Sequence, residues 1–579
     1  DVFDYIVVGG GTSGCVLTGR LSAAGHSVCT LEAGPRDINP LIHIPAGYIK
    51  NIYSKTLTWN FQSEPGPGVN SRSFSLPQGR VLGGSSSING LNYVRGQSVD
   101  YDNWAAAGNP GWSYEDVLPY FRRSERRLGN PDPKYRGTDG ELPISDLDWH
   151  NPVSDALIDA AVAIGIPRNS DHKGATQEGV GFFQRTIHRG KRVSAARAFL
   201  SKARRRPNVS IRTNAQCTSI VIENGVARGV RYIQGGAGGT PRIVRARREV
   251  LLTAGALNTP KLLQLSGLGP ADVLKAAGIE VLRDIQGVGA NLRDHYAVRM
   301  VSRIHGAPTI NTKVQGPALV VQVARWLVGL PSPLAISPSL VHIFTRSDPS
   351  LDRPDLEFAC APASFREGVV GLLDKHPGLT LGVWQERPES LGHVRVRSSD
   401  VFQAPSIQPN YLTDERDQKA LLGGMRIARK LFRAPPLARY VEAETSPKPE
   451  LESDDELLAF AREKGTTVYH MIGTARMGPK DRPDSVDHAV DALGQYQCLD
   501  ADDRREGGRH DPRPADSAMT AGDRHGEAAR LYVTEAQRVF DALHEVATRL
   551  AGLLMSLEML KSRHVLDVES RLAARARLE

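Results

Sequence analysis

The amino-terminal segment joins an apolar run, a glycine-rich turn and a helical pattern without interruption. Residues 4–8 read DYIVV, residues 9–14 read GGGTSG, and residues 15–21 read CVLTGRL, with apolar residues at helical spacing. This order predicts a strand, a tight turn and a helix. The glycines allow the turn itself, a close approach of the backbone to a phosphate group, and close packing of the helix on the strand. The segment therefore predicts the start of an α/β sheet that binds a nucleotide.

A second strand follows and ends at an acidic residue. Residues 27–31 read SVCTL, and Glu32 comes next, about twenty residues after the turn, where a carboxylate can hold both hydroxyls of an adenosine ribose. The phosphates of a dinucleotide would lie at the positive end of the first helix. We therefore predict a Rossmann-like dinucleotide site. Glu32 disfavours the 2′-phosphate of NADP, whereas FAD and NAD both remain open at this point.

Composition narrows the class of protein. The 579 residues are enough for roughly two to four domains. The net charge is +8, but acidic and basic residues are interspersed, so we expect no nucleic-acid partner. No two of the five cysteines form a C-x-x-C pair, so we expect neither a metal site nor a disulfide framework.

The same sequence gives an expectation about membranes and location. The start of the chain shows no basic region followed by an apolar stretch, so we predict no signal peptide and a cytoplasmic location. The longest apolar run, residues 319–330, is interrupted by Arg325 and is too short to cross a bilayer. We therefore expect no transmembrane segment.

Two further glycine-rich stretches separate FAD from NAD. Residues 79–96 read GRVLGGSSSINGLNYVRG, with paired glycines and serines whose backbone amides can meet a flavin and its diphosphate. Residues 255–260 read GALNTP and continue to SGLG at 266–269, which predicts a strand end, a turn and a helix started by Pro260. An NAD-linked dehydrogenase is the less favoured alternative because it leaves these stretches without a role.

Together, these stretches resemble the two signature motifs of the glucose-methanol-choline (GMC) family of FAD-dependent oxidoreductases. Residues 286–295, QGVGANLRDH, resemble a third landmark of the family, and the resemblance extends from residue 2 to about residue 487. Within the family, the chain is most similar to bacterial members that resemble choline dehydrogenase and sorbose dehydrogenase. The resemblance implies FAD as the cofactor and an alcohol as the substrate.

The resemblance also implies which residues hold FAD. The expected cofactor-binding residues are Gly9, Gly11, Thr12, Ser13, Gly14, Glu32, Arg80, Val81, Gly83, Gly84, Ser85, Asn89, Gly90, Asn92, Cys217, Ala254 and Gly255. Some family members carry a flavin-linking histidine where this chain has Ile88, so we expect non-covalent FAD. Cys217 stands where Val is usual, and a small buried apolar role without redox chemistry is equally consistent with it.

The family fold is a mixed α/β and α+β architecture, with a Rossmann-like FAD-binding domain and an inserted substrate domain on an antiparallel sheet. Short alternating stretches at 355–358 and 392–397 agree with such a sheet. The implied segments are 1–150 and 191–300 for the FAD-binding domain, 151–190 and 301–460 for the substrate domain, 461–490 for the catalytic-histidine segment, and 491–579 for an atypical helical tail.

The chemistry implied is oxidation of an alcohol to an aldehyde or ketone. A base takes the hydroxyl proton while the adjacent carbon gives hydride to the flavin. His470, in residues 467–478 (TVYHMIGTARMG), matches the catalytic histidine of the family; a structural histidine is the alternative. We assign no chemistry to His43, His150, His188, His295 and His393. The particular alcohol and the electron acceptor, oxygen or a quinone or another carrier, remain open.

Beyond residue 490 the chain departs from the family pattern. Family members continue through a segment resembling SGNTNAPTIMIAEK, which contains the second catalytic residue, whereas residues 494–507 here read GQYQCLDADDRREG. Gln495 overlaps that position and is the second catalytic candidate. One choice of codons for residues 494–507, read one base later, encodes GNTNASTLMIAEK. We therefore hypothesise a shifted reading frame here, which makes a catalytically impaired or inactive flavoprotein the alternative function.

The tail carries a pattern of its own. Apolar residues between 536 and 557 alternate four and three apart, which predicts a helix with a heptad stripe. Packing of this helix on its own domain and self-association through it are the two interpretations.

Overall fold

The amino-terminal pattern folds as the sequence predicts. The computed structural model describes residues 1–366 and 372–478. In it, a strand at Val2–Val8 leads through the glycine turn into a helix at Thr12–Ala23, and a second strand at Val28–Leu31 ends directly before Glu32. The predicted order of strand, turn, helix and strand is confirmed.

Strands and helices are interspersed along the described chain, with several runs of consecutive strands. The strands are β1 (Val2–Val8), β2 (Val28–Leu31), β3 (Phe61–Gln62), β4 (Ser75–Leu76), β5 (Glu125–Arg127), β6 (Leu142–Ile144), β7 (Gly179–Phe182), β8 (Ile187–His188), β9 (Lys191–Arg192), β10 (Val209–Arg212), β11 (Ala215–Glu223), β12 (Val226–Gln234), β13 (Thr240–Leu252), β14 (Leu268–Gly269), β15 (Arg283–Asp284), β16 (Tyr296–Ile304), β17 (Val341–Thr345), β18 (Leu356–Ala361), β19 (Gly378–Gln385), β20 (His393–Arg395), β21 (Ser406–Gln408), β22 (Val441–Ser446) and β23 (Thr466–Thr467). The α-helices are α1 (Thr12–Ala23), α2 (Pro40–His43), α3 (Tyr48–Asn51), α4 (Ser98–Ala106), α5 (Tyr114–Ser124), α6 (Pro152–Ala163), α7 (Ala195–Ala203), α8 (Gly255–Leu265), α9 (Ala271–Ala276), α10 (Ile310–Lys313), α11 (Gly316–Leu327), α12 (Glu415–Arg433), α13 (Pro435–Ala438) and α14 (Asp454–Lys464).

A six-stranded sheet carries the glycine turn. Its order is β10-β2-β1-β13-β12-β11, with the first four strands parallel and the last two antiparallel. Val8 pairs with both Leu31 and Leu252, so β1, β2 and β13 end level with one another. The residues that follow these strands therefore meet at one edge of the sheet, which is where open α/β sheets bind their ligands.

Helix α8 begins earlier than the sequence predicts. The helix starts at Gly255, so Pro260 lies inside it rather than at its start. Proline has no backbone N–H, and it therefore leaves the carbonyl of Ala256, four residues earlier, without its helical donor. The hydroxyl of Thr474 donates to that carbonyl instead. A residue more than two hundred positions away thus makes the internal proline acceptable.

A seven-stranded antiparallel sheet forms the second layer. Its order is β22-β16-β19-β18-β17-β7, and β23 also pairs with β16. One face carries buried apolar residues that belong to the largest core cluster, among them Met300, Ile343, Phe358, Leu381 and Val383. Helix α12 contacts β16, β18 and β19, and α6 contacts β7. The predicted mixed architecture with an antiparallel second sheet is confirmed.

Some sequence expectations concern membranes, metals and the tail. Within residues 1–366 and 372–478, no helix is long and apolar enough to cross a membrane, and no group of three His, Cys, Asp or Glu side chains could hold a metal ion. Gln495, the atypical tail at 491–579 and the heptad stripe at 536–557 lie outside the described residues.

Candidate active site

The turn after β1 requires glycine at two of its positions. Gly9 has φ +103°, and a Cβ there would lie 2.5 Å from the carbonyl oxygen of Thr253. A Cβ on Gly14 would lie 2.0 Å from the carbonyl oxygen of Gly9. Gly11 differs, because a Cβ there would meet no atom closer than 3.8 Å. Gly9 and Gly14 allow the turn to pack tightly against the sheet, and Gly11 leaves the backbone accessible on its outer side.

Glu32 is fixed at the end of β2 by backbone amides. Its carboxylate accepts hydrogen bonds from the N–H groups of Gly10 (2.9 Å) and Gly34 (2.8 Å). Burial raises the pKa of Glu32, and these two hydrogen bonds act in the opposite direction. The N–H of Ala215 donates to the Glu32 carbonyl at 2.9 Å, which brings the start of β11 and the buried Cys217 beside the acid.

The second glycine-rich motif folds onto the first. The N–H of Gly83 donates to the carbonyl of Gly10 at 2.7 Å. Gly84 has φ +55°, and a Cβ there would lie 2.7 Å from the Cα of Gly11. Two motifs separated by some seventy residues of sequence therefore form a single backbone surface, and the close approach at Gly84 requires glycine there.

Polar side chains of the second motif border this surface. The Arg80 guanidinium lies over the Trp59 ring, 5.2 Å from its centroid, and its charge lowers the pKa of Glu32. The N–H of Gly79 donates to the Ser85 hydroxyl oxygen at 3.1 Å. Arg80 Nε is buried and has no hydrogen-bond partner within the described chain. Such an unpaired donor is what a bound anionic group would satisfy.

The segment after the serine run turns away from the glycines. Asn89 Oδ1 accepts from Arg192 Nη1 at 2.8 Å, and a Cβ on Gly90 would lie 2.8 Å from Pro338. Asn92 Oδ1 is buried without a hydrogen-bond partner among the residues described. Asn89 is therefore held by the protein, whereas Asn92 offers a free acceptor.

Ile88 is the residue on which the expectation of non-covalent FAD rests. Its side chain is fully buried and packs with Ile42, Leu57 and Val81. An aliphatic side chain in this apolar cluster cannot form a bond to a flavin.

Two helices point uncapped amino ends at this region. No side chain caps α1 at Gly11 or α8 at Ala254, and a Cβ on Gly255 would meet nothing within 4 Å. The positive amino end of α1, which begins at Thr12, can therefore face a diphosphate. The backbone cradle, the fixed Glu32 and the unpaired polar atoms fit a flavin dinucleotide.

The structure brings together Gly9, Gly11, Thr12, Ser13, Gly14, Glu32, Arg80, Val81, Gly83, Gly84, Ser85, Cys217, Ala254 and Gly255, with Asn89, Gly90 and Asn92 on the adjoining segment.

His470 forms a hydrogen-bonded pair with a second histidine. Its Nδ1 lies 2.7 Å from Nδ1 of His295, and Nε2 of His295 lies 2.8 Å from the carbonyl oxygen of Glu386. A carbonyl only accepts, so His295 Nε2 carries the proton and its Nδ1 is the acceptor in the neutral pair. His470 Nδ1 therefore donates, and His470 Nε2 keeps its lone pair. The backbone carbonyl thus selects, through His295, the tautomer of His470 that can act as a base.

Asp294 holds the backbone of His470 in place. It accepts from the His470 N–H at 2.6 Å and from the Thr467 hydroxyl at 2.6 Å, and the Tyr411 hydroxyl also donates to it. Tyr469, just before the histidine, has φ +70°, a left-handed conformation uncommon for a side chain of this size. These three donors to one buried carboxyl keep the segment in that conformation.

A ladder of backbone hydrogen bonds joins the two segments that carry the histidines. Residues 289–297 and 466–474 run antiparallel, with Arg293 and Ile472 exchanging N–H to carbonyl bonds of 3.0 and 2.9 Å. Two residues of this ladder, Tyr296 and Thr467, also pair as β16 and β23. The third glycine landmark of the sequence therefore positions the catalytic-histidine motif.

The seven-stranded sheet presents a second, more polar face beside the histidine pair. Alternation along the strands puts Trp384, Glu357 and His342 on the face opposite the apolar core, with Ala359 and Gly382 between them. The Trp384 ring centroid lies 6.0 Å from that of His470. Because the small residues Ala359 and Gly382 lie between these larger side chains, this face forms a shallow floor next to the candidate base.

Two carboxyl groups lie on this side of the sheet. Burial and the neighbouring carboxyl of Glu386 raise the pKa of Glu357 well above its usual range. Trp384 Nε1 and Glu386 Oε1 are buried without a hydrogen-bond partner in the described part of the chain. These unpaired atoms, close to His470, are suited to contact a ligand.

Burial and the charge of His295 both lower the pKa of His470 well below its usual range. A histidine with a lowered pKa stays neutral at physiological pH, which a base requires. The hydrogen-bond geometry and the direction of the pKa therefore agree.

Several residues of this site were missed by the sequence prediction. His295 was assigned no chemistry, and Asp294, Trp384 and Glu357 were not singled out. Asp294 and His295 end the third landmark, so their position in a recognised motif was the available signal. Nothing in the sequence signals that Trp384 and Glu357 pair across two strands.

Known proteins identify the family. The GMC oxidoreductase family matches through its amino-terminal model at residues 3–297 and its carboxy-terminal model at 388–496, a range that includes Gln495. Alcohol dehydrogenase [acceptor] from Pseudomonas putida is 39% identical over 501 residues, covering 85% of this chain and 89% of that protein. Oxygen-dependent choline dehydrogenase from Photobacterium profundum is 37% identical over 506 residues, covering 86% and 88%.

Solved structures agree with this assignment. Pyridoxine 4-oxidase from Mesorbium loti superposes with a TM-score of 0.76 at 28% identity, covering 90% of this chain and 96% of that one. Formate oxidase from Aspergillus oryzae RIB40 gives a TM-score of 0.76 at 26% identity, covering 83% and 89%. The chain belongs to the GMC oxidoreductase family. It is an FAD-dependent oxidoreductase that acts on the CH–OH group of an alcohol.

Proposed function

We propose that His470 is the base that takes the hydroxyl proton of the alcohol. The observation that carries this proposal is the chain of hydrogen bonds from the Glu386 carbonyl through His295, which leaves His470 Nε2 unprotonated. When bound, FAD supplies the acceptor for the hydride that leaves the carbinol carbon. The protein's own part is to remove the proton, to hold the alcohol and to exclude water.

His295 assists this step by sharing the positive charge. As His470 Nε2 takes the proton of the alcohol, the imidazolium that forms keeps its Nδ1–H directed at His295 Nδ1. The acceptor lone pair of His295 stabilises that charge at 2.7 Å. Asp294, held by three donors, keeps the ring where it can meet the substrate.

We assign FAD binding to the six-stranded sheet and the substrate floor to the seven-stranded sheet. The cradle of Gly9, Gly11 and Gly84 would take the diphosphate, and Glu32 the adenosine ribose. The burial of Ile88 supports non-covalent FAD. Gln495 keeps its place as the second catalytic candidate, outside the described residues.

An alcohol panel tests the main proposal. The purified chain is mixed anaerobically with primary, secondary and aryl alcohols while the absorbance of the oxidised flavin is followed. Aerobic and dye-linked assays with the same panel then distinguish oxygen from other acceptors. Bleaching by an alcohol that disappears in His470→Gln supports the base, whereas equal bleaching in this variant contradicts it.

Choline is a second candidate substrate that a specific observation favours. Glu357 and Trp384 are cross-strand neighbours on the face beside His470, and a carboxylate with an aromatic ring is the pairing that binds a quaternary ammonium. A nearby cation lowers the pKa of a carboxyl group, so bound choline would favour the ionised form of Glu357. The similar choline dehydrogenases support this candidate.

A neutral analogue separates the two substrate classes. Choline and 3,3-dimethylbutan-1-ol have the same shape and differ in charge. If choline is the substrate, Glu357→Gln raises the KM for choline at least tenfold and leaves that for the neutral alcohol unchanged. Equal changes for both alcohols would contradict a cation subsite while leaving alcohol oxidation intact.

The altered segment after residue 490 has a separate test. The coding DNA either contains codons that yield GNTNASTLMIAEK in the neighbouring frame or it does not. If it does, a chain with that peptide restored should bind FAD more tightly and turn over faster than the present chain. Codons that cannot encode it would rule out the shifted frame.

A further inference from the structure

Helix α11 exposes a patch of large apolar side chains. The patch consists of Val320, Val321, Leu327, Val328 and Leu330, whose exposed fractions are 55, 56, 47, 72 and 49%. Twelve large hydrophobic residues are exposed in the described chain, and these five fall within eleven consecutive positions. The other seven are spread from Val2 to Phe402, which is normal for a protein surface. A concentration of this kind marks an interaction surface.

The inner side of the helix is held by the protein. Its inner contacts are made by the partly buried Trp326, whose Nε1 donates to the Gly190 carbonyl at 2.8 Å, and by Gln322, whose carbonyl accepts from the Ser332 hydroxyl at 2.9 Å. These contacts fix which side faces the protein. The apolar patch lies on the outer side of the helix, where its side chains are exposed.

The charged side chains on and beside α11 are mostly basic. Residues 295–347 contain no Asp or Glu, while Lys313 precedes the helix and Arg325 lies on its exposed side. The turn between β8 and β9 adds the exposed Arg189 and Lys191 on either side of the glycine that Trp326 contacts. The patch is therefore flanked by four cations.

One acidic residue approaches from another segment. The carbonyl of Asp374 accepts from Gln315 Nε2 at 3.1 Å at the amino end of α11. Its neighbour Lys375 is exposed and balances that charge. The sign of the surface stays positive at both ends of the helix.

We propose that this patch docks on an anionic phospholipid surface. An exposed helix with an apolar stripe and flanking Lys and Arg residues is the arrangement that lies in the interface plane of a bilayer, with its apolar side chains among the lipid head groups. Juxtamembrane cations add attraction to anionic lipids. The surface would hold the protein peripherally, since α11 spans only Gly316–Leu327 and lies on the protein surface rather than across a membrane.

Vesicle sedimentation tests the proposal with the full FAD-loaded chain. We expect the protein to pellet with vesicles of phosphatidylcholine and phosphatidylglycerol at 3:1, and at least tenfold less with phosphatidylcholine alone. The double variant Val321→Glu/Val328→Glu should lose at least tenfold in binding. Val162→Glu is the matched control, because Val162 is 43% exposed on α6 and should tolerate the change.

A second variant separates charge from apolar contact. Lys191→Gln/Lys313→Gln removes two cations and no apolar surface, and it should weaken binding to anionic vesicles and reduce its salt dependence. Flavin absorbance and circular dichroism confirm that each variant is folded, so a lost interaction is not mistaken for unfolding.

Three results would overturn the proposal. The wild-type chain could fail to pellet with anionic vesicles, or the double variant could pellet as well as the wild type. A dimer in light scattering that Val321→Glu/Val328→Glu dissolves, without vesicle binding by the wild type, would assign the patch to a second copy of the chain.

Discussion

The nucleotide cradle and the histidine site are built in opposite ways. The cradle consists of backbone, and its glycines touch one another through contacts that any side chain would block, such as that between Gly84 and Gly11. The histidine site consists of side chains, and its two rings come from positions 175 residues apart. The cradle therefore depends on positions that carry no side chain, and the histidine site depends on pairing between residues far apart in the sequence. A substitution in the cradle should accordingly lower FAD binding, and a substitution in the histidine site should lower the rate of alcohol oxidation.

The largest effect should come from the base itself. His470→Gln removes the lone pair at Nε2 and should lower kcat/KM about 10²- to 10⁴-fold, because general base catalysis contributes that much. FAD content, measured by absorbance after gel filtration, should not change, since the cradle makes no use of this side chain.

A control makes this result specific. His305 is exposed after β16 and uses only its backbone N–H to bond Tyr440, so His305→Gln should keep full activity. A His470→Gln protein that loses FAD in proportion to activity would show that the two regions are not separable.

The reciprocal effect should appear at Glu32. Glu32→Gln replaces one acceptor oxygen by an NH2 donor, so it breaks one of two charge-assisted hydrogen bonds, worth about 1.5–3 kcal/mol each, and removes the negative charge proposed to hold the ribose hydroxyls. We expect FAD affinity to fall roughly 100-fold, while kcat at saturating FAD stays near the wild-type value. Titration of the apoprotein with FAD measures the first quantity and steady-state kinetics the second. A fall in kcat with unchanged affinity would reverse the assignment of the two regions.

These two regions also differ in how far the sequence alone predicts them. The glycine turn, the second strand and Glu32 lie within one short segment, and local rules predict them well. His470 could be named because its motif resembles a family motif. His295 could not be given a role, because its partner is set by the ladder between 289–297 and 466–474, which only the folded chain shows.

The floor of the site illustrates the same limit. Glu357 and Trp384 become neighbours because β18 and β19 pair in one register, and a shift of either strand by one residue would turn its side chain into the core. Local alternation predicts that strands exist, not which residues face each other. The pKa of Glu357 depends on its burial and on the neighbouring Glu386, so it is set by tertiary structure.

A smaller effect should distinguish positioning from chemistry. His295→Leu removes the acceptor that selects the tautomer of His470 and stabilises the imidazolium formed in the step. The value of kcat/KM at neutral pH should fall roughly tenfold, because His470 then spends part of its time in the tautomer that cannot act as a base. Burial, the larger cause of the lowered pKa of His470, remains, so the acid limb of the pH profile of kcat/KM should not move to higher pH.

Nuclear magnetic resonance gives a readout that does not depend on turnover. In ¹⁵N-histidine-labelled protein, the His470 ring should carry its proton on Nδ1 in the wild type and lose that preference in His295→Leu. A wild-type ring protonated at Nε2 would contradict the role of His295, whether or not the protein oxidises an alcohol.

The smallest effect concerns the contact that joins the two regions. Thr474 donates to the Ala256 carbonyl that Pro260 leaves unbonded within α8, just beyond the cradle residues Ala254 and Gly255. Thr474→Val should cost about 1 kcal/mol of unfolding free energy, the usual net value of one buried hydrogen bond. In a Pro260→Ala background the helix can supply its own N–H to that carbonyl, so the same change should cost less. Denaturant unfolding of the four proteins in this cycle measures the coupling, and equal costs in both backgrounds would show that the proline and the threonine act independently.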